Sequence, residues 1–309
     1  MVYDLAIIGG GPAGVAAGVY AARKRLHTVF IAETIGGQST DSLEVQNWIG
    51  TEKIAGNDLA KQLETHLRAY ADDVLTLQIG ERATSVRKTP EGFAVETSKG
   101  AYTARALLIA TGGSRRKLVI PGADQFENKG LTYCASCDGP LFAGQDVAVV
   151  GGGNAGFESA AQLLAYTKSV TLIHRHSDFA KADQLTVKAV VAHPNMHVLT
   201  DSSPIEIQGE AFVQKILVKN EKTGEITEVP VTGIFVEIGA IPATAFVGDL
   251  VAKDQNGFIK VDPKNQRTSL EGIWAAGDCS DGLYHQNNIA AGDAVKALED
   301  IFYYLQAKK

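Results

Sequence analysis

Two runs of continuous apolar residues organise this chain, Leu5-Ala6-Ile7-Ile8 and Val147-Ala148-Val149-Val150. Each leads into a glycine-rich turn, then a helical pattern, then a second apolar run. Those second runs are Thr28-Val29-Phe30-Ile31 and Val170-Thr171-Leu172-Ile173. Apolar runs without polar alternation fit parallel strands buried on both faces. Residues 3–33 and 145–175 align without a gap at one constant offset, which sets Gly9 on Gly151 and Gly14 on Gly156. The pattern predicts an α/β protein with two Rossmann-like (three-layer ββα) dinucleotide-binding domains.

Between the repeats, Leu59, Leu63, Leu67 and Tyr70 recur at helical spacing, with Asn57 or Asp58 as the expected cap. Residues 74–110 read as short strands turning at Pro90-Glu91-Gly92 and Lys99-Gly100, ending in Ala106–Ala110. After the second repeat come a hairpin near Lys222-Thr223-Gly224 and a strand over residues 233–239. A closing helix is expected from about Ala291 to Gln306. A first domain interrupted by an inserted one accounts for two crossings. The expected division is residues 1–116 and 242–309 for the first domain and 117–241 for the insert.

The glycines have separate tasks. One makes a tight turn, one lets the backbone approach a pyrophosphate, and one lets helix and strand pack closely, with phosphates at the helix N-terminus. The first set is Gly9, Gly11, Pro12, Ala13 and Gly14; the second is Gly151, Gly153, Asn154, Ala155 and Gly156. The same offset sets Arg175 on Glu33. An acid there accepts hydrogen bonds from adenosine ribose hydroxyls, whereas an arginine favours a 2′-phosphate. The first site is therefore expected to take a dinucleotide with a free ribose, such as FAD, and the second NADPH. His174 and His176 flank Arg175.

Composition narrows the class further. The chain has 309 residues, 45% hydrophobic and 21% charged, with formal net charge −6. That charge argues against nucleic acid or anionic lipid as partner, and no apolar run approaches a membrane span. A strand pattern from Tyr3 onward leaves no room for a signal peptide, so a cytoplasmic location is expected. There are three cysteines, too few for a secreted disulfide scaffold. Two of them form Cys134-Ala135-Ser136-Cys137, followed by Asp138. Such a pair can bridge, and a neighbouring carboxyl can exchange the proton that dithiol chemistry requires. A zinc site needs two further ligands at suitable spacing, and Cys279 stands alone far downstream. His193 and His197 straddle the loop-forming Pro194-Asn195, so no metal site is expected.

Together these motifs resemble the low-molecular-weight, bacterial-type thioredoxin reductases, class II pyridine nucleotide-disulfide oxidoreductases. The resemblance covers essentially the whole chain. It rests on Gly9 to Gly14, Gly36-Gly37-Gln38, Asn47-Trp48, Ala110-Thr111-Gly112, Cys134 to Asp138, Gly151 to Gly156 with Glu158, and Gly277-Asp278 before Tyr284-His285-Gln286 and Asn287. It implies FAD in the first domain, with Asp278 near the ribitol and His285, Gln286 and Asn287 near the isoalloxazine. It implies NADPH, with NADH possible, on the second domain and the redox disulfide on that same domain. Cys137 would be the flavin-proximal sulfur and Cys134 the thiol that attacks thioredoxin or a thioredoxin-like protein. A homodimer is implied. The sequence departs from the pattern at His285, usually basic Arg or Lys, and at His176 and Ala180, usually arginine. The flavoprotein component of alkyl hydroperoxide reductase is a close relative, similar through Lys181-Ala182-Asp183-Gln184 and Gly277-Asp278-Cys279. That relative carries an extra N-terminal domain with its own C-x-x-C; this chain starts at the flavin strand and is expected to lack it. Alternatives are an NAD(P)H-dependent reductase of a peroxiredoxin or other dithiol protein, and a flavin dithiol oxidase using oxygen.

Overall fold

The computed structural model describes residues 1–308. The chain divides into two compact units, residues 1–114 with the C-terminal segment from Ile241, and Arg115–Ala240.

The first unit is built on a sheet whose parallel centre is Val2–Ile8, flanked by Thr28–Ala32 and Ala101–Ile109. Leu75–Ile79 extends it in parallel on one side, and Ile273–Ala275 joins Ala101–Ile109 in parallel from the far end of the chain. The strands Ala83–Thr89 and Gly92–Thr97 add an antiparallel hairpin. Leu5, Ile7, Phe30 and Leu108 are fully buried on one face with helices Pro12–Arg23 and Asn287–Ala307. Burying a large apolar side chain contributes roughly 1.5–3 kcal/mol, so this layer anchors the turns that follow each strand.

The second unit repeats the plan. Its parallel sheet runs Met196–Leu199, Ser169–Ile173, Asp146–Val150, Gly233–Val236 and Leu131–Thr132. A three-stranded antiparallel sheet, Ser202–Gly209, Val213–Asn220 and Ile226–Pro230, completes it. Helix Asn154–Leu164 buries Phe157, Ala160 and Leu163 with Val147, Val149 and Leu172.

Three local expectations need correction. The helix carrying Leu59 and Leu67 spans Gly56–Ala69, with Ala55 at its N-cap and no side-chain cap. Asn57 and Asp58 lie inside its first turn. A Cβ on Gly56 would stand 1.8 Å from the Ser39 carbonyl oxygen, so a close backbone approach sets the helix entry. The strand expected over 233–239 ends at Val236. The closing helix starts at Asn287, where Asn287 accepts from Ser39 Oγ at 3.2 Å and Asn288 donates to the Asn47 carbonyl at 2.7 Å.

Candidate functional site

The two glycine turns have the same backbone. Gly9 and Gly151 adopt φ of +121° and +126°, a region that L side chains avoid. A Cβ on Gly9 would lie 2.1 Å from the Ala110 oxygen, and one on Gly151 2.2 Å from the Glu237 oxygen. Gly14 and Gly156 each leave 1.9 Å between a built Cβ and the carbonyl of the turn glycine, so they are the positions of close helix packing. Gly11 and Gly153 cap their helices in extended conformation, with no side-chain hydrogen bond to either cap. A Cβ on Gly11 would meet only Gly37 Cα, at 3.9 Å, and one on Gly153 would meet nothing within 4 Å. Each helix end is thus an open backbone cradle for an anion.

In the first unit this cradle opens into a cavity of about 640 Å³. Gly9, Gly11, Pro12, Ala13, Glu33, Gly37, Gln38, Ala110, Thr111, Gly112, Gly277, Asp278 and Asn287 all line it. Gln38 Nε2 donates to Asp278 Oδ2 at 3.3 Å, joining residues from opposite ends of the sequence. Gly277, at φ +72°, sits where a Cβ would press on Ala290 and Ala13 at 3.1 and 3.3 Å. Size, glycine turn and flanking acid fit a dinucleotide. Gly14 lies behind the turn, and Asn47, His285 and Gln286 are outside this lining. Asn47 Nδ2 donates to Gln286 Oε1 at 3.0 Å, while His285 Nε2 lies 3.1 Å from the Gly282 oxygen.

No motif singles out Arg82 as a site residue. It lines the cavity and pairs with Glu33 at 2.8 Å. Thr34, Glu81 and Phe246 join it there. The Glu81 carboxyl is buried and accepts from Thr97 Oγ1 at 2.7 Å and the Tyr102 hydroxyl at 3.1 Å. No spacing in the sequence links these residues to the glycine turn.

In the second unit His174 packs on the turn, where a Cβ on Gly152 would lie 2.6 Å from its ring. The ring stacks on Phe179, and burial holds it below the ordinary histidine range. Arg175 and His176 are exposed, and Arg175 Nε donates to His176 Nε2 at 3.2 Å. Asn154 Oδ1 accepts from the Asp183 amide at 2.7 Å, tying the helix start to the loop after Ile173. Ala155 and Glu158 are exposed on that helix.

Cys134 and Cys137 are joined as a disulfide, Cα atoms 5.3 Å apart. Cys134 caps the short helix Ala135–Asp138, and its Sγ accepts from the Cys137 amide at 3.2 Å. Gln162 steadies the segment, donating to the Ala135 carbonyl at 3.3 Å and accepting from Ser136 Oγ at 3.0 Å. Asp138 accepts a hydrogen bond from Thr132 Oγ1. Burial pushes its carboxyl above the usual aspartate range, and the Thr132 bond offsets part of that shift. Thr132, another residue no motif singles out, also accepts from the Cys134 amide at 3.3 Å.

Cys279 is fully buried, and its thiol donates toward the Ile109 and Ala276 carbonyls at 3.3 and 3.4 Å. Burial raises it to about 11. Thiol titration of the reduced protein is therefore expected to count two reactive thiols in the native state and three in denaturant. Three in the native state would contradict that packing.

No helix among the described residues is long and apolar enough to cross a membrane. Comparison with known proteins agrees with the geometry. Solved structures of thioredoxin reductases from Streptococcus pyogenes (TM-score 0.88, 34% identity, 99% of both chains) and Giardia duodenalis (TM-score 0.92, 32% identity, 98% of this chain and 99% of the other) share the fold. A curated NADH dehydrogenase from Bacillus subtilis and an alkyl hydroperoxide reductase component of Staphylococcus aureus are each 38% identical over 98% of this chain. The chain spans 58–59% of the length of those two relatives. Residues 3–294 match the family described as pyridine nucleotide-disulphide oxidoreductase, whose members use FAD and NAD(P)H. With both glycine cradles and a paired C-x-x-C in place, the chain belongs to the pyridine nucleotide-disulphide oxidoreductases.

Proposed function

We propose that the protein is an NADPH-dependent flavoprotein disulfide reductase whose Cys134–Cys137 pair, once reduced to the dithiol, reduces the disulfide of thioredoxin or of a thioredoxin-like dithiol protein. The observation that carries this reading is the bridged cysteine pair with a half-buried acid beside it, on the unit that also holds the second glycine cradle. FAD would lie in the first cavity, its pyrophosphate on Gly11 to Ala13 and its ribitol toward Asp278, and NAD(P)H on Gly153 to Gly156. When bound, these groups supply an electron pair and one of the two protons that disulfide reduction consumes. Asp138 hands the second proton to a leaving sulfur and regains it from solvent. Cys134, the interchange thiol in this reading, is stabilised as thiolate by the Cys137 amide aimed at its sulfur. It attacks the partner disulfide, and Cys137 then displaces the reduced partner as the ring closes again. The Glu33 carboxylate, held by Arg82 in the first cavity, would accept from the adenosine ribose hydroxyls. The protein is proposed to act as a homodimer in the cytoplasm.

A second reading has a peroxiredoxin as acceptor, favoured by the similarity to the alkyl hydroperoxide reductase relative. Anaerobic turnover of the flavin-loaded protein with thioredoxin and with a peroxiredoxin separates the two. Faster NADPH oxidation with thioredoxin is expected. Activity with the peroxiredoxin alone would favour the second reading, and NADPH oxidation seen only in a parallel aerobic assay, with neither protein serving as acceptor, would overturn both.

Nucleotide choice is assigned to Arg175. An exposed, charge-assisted contact to a 2′-phosphate contributes about 1.5–3 kcal/mol, roughly ten- to a hundredfold in preference. Histidine at 176 and alanine at 180 place the wild type at the low end. Arg175→Ala is expected to remove most of the NADPH preference in flavin-reduction rates. Equal rates with NADH and NADPH in the wild type would contradict this assignment.

A further inference from the structure

We propose that Thr132 is the positioning residue for Asp138, fixing which carboxyl oxygen exchanges protons with the disulfide. The inference rests on the reading of Asp138 as the acid. Thr132 ends the strand Leu131–Thr132, held in the parallel sheet by pairing of Thr132 with Phe235. The residue is buried, at 7% exposure. One hydroxyl makes two contacts: its proton goes to Asp138 Oδ2, and its oxygen accepts the Cys134 amide at 3.3 Å. The acid and the first cysteine are thereby referenced to the same atom on the sheet. A hydroxyl has one proton. With that proton committed to Oδ2, Oδ1 is the oxygen left to carry and release the acid's own proton.

The surroundings leave Thr132 as the controlling contact. Burial raises the Asp138 carboxyl and the Thr132 hydrogen bond lowers it. On the neighbouring segment the titratable side chain is Tyr166, whose hydroxyl lies against Gly139, and burial raises it above its ordinary range. On the segment itself Tyr133 is titratable, raised above its ordinary range by burial, with its hydroxyl accepting from the Leu118 amide at 3.4 Å, and Cys134 and Cys137 titrate once reduced.

Thr132→Val keeps the shape and deletes the hydroxyl, leaving Oδ2 without its donor, which makes the carboxylate harder to form. The test follows single-turnover reduction of Cys134–Cys137 in the flavin-loaded protein by NADPH, quenched with N-ethylmaleimide and counted as alkylated cysteines by mass spectrometry across pH. The valine variant is expected to react roughly tenfold more slowly, the size of one charge-assisted hydrogen bond. Its Asp138-dependent limb should move to higher pH, and Thr132→Ser should restore both rate and limb. In an Asp138→Asn background, Thr132→Val should add no further loss. A valine variant with the wild-type rate and limb, or one that loses as much in the asparagine background, would overturn the proposal. If Asp138→Asn alone keeps the wild-type rate, the acid assignment fails, and the role of Thr132 with it.

Discussion

Serine at either Cys134 or Cys137 is expected to take reduction of a protein disulfide down to the uncatalysed background while flavin reduction by NADPH proceeds. The pair acts as one unit, because a single remaining sulfur can attack a partner disulfide but cannot close the ring that releases the product. Cys279 offers no substitute, being fully buried with its thiol held in the protonated form. The double variant should therefore be no worse than either single one, the non-additivity expected of groups that share one task. Rates of flavin bleaching and of disulfide reduction, measured on the same preparations, separate the half-reactions. Residual disulfide turnover in both single variants would remove the cysteine pair from the mechanism.

Asp138→Asn carries the second large effect. A general acid–base group contributes about 10²–10⁴-fold, and asparagine keeps the size while removing the exchangeable proton. The sign of the pH dependence follows from burial. Because the Asp138 carboxyl lies above the usual aspartate range, its protonated form persists to higher pH than an ordinary aspartate. The rate of proton donation is full below that raised pKa and declines as pH rises through it. The asparagine variant should be slow and lack that limb. A variant that is slow yet retains the wild-type limb would move the acid role to another group.

Much of the architecture was legible because its cause is local. A strand, a glycine at positive φ and a helix starting on an extended glycine recur in both units, and the alignment of Gly9 with Gly151 reappears as nearly equal backbone angles. Likewise Gly14 and Gly156 were readable as packing glycines, since the demand on them comes from a carbonyl five residues earlier. What the sequence hid is what the fold brings from afar. Arg82 meets Glu33 because Leu75–Ile79 lies beside Thr28–Ala32 in the sheet. Thr132 reaches Asp138 through a two-residue strand, too short to announce itself by alternation. Ala55 in place of Asn57 or Asp58 as helix cap, and Asn287 as an early helix start, are tertiary overrides, in which close backbone approach and cross-chain hydrogen bonds decide where a helix begins.

NADPH, one flavin and one disulfide are expected to form a single electron path within this chain. An anaerobic titration of the flavin-loaded protein with NADPH, counting alkylatable cysteines alongside the flavin spectrum, tests it most directly. Uptake of four electrons per chain is expected, two bleaching the flavin and two opening Cys134–Cys137, and of two electrons with Cys134→Ser or Cys137→Ser. Full bleaching of the wild type after two electrons, with the disulfide still closed, would contradict it.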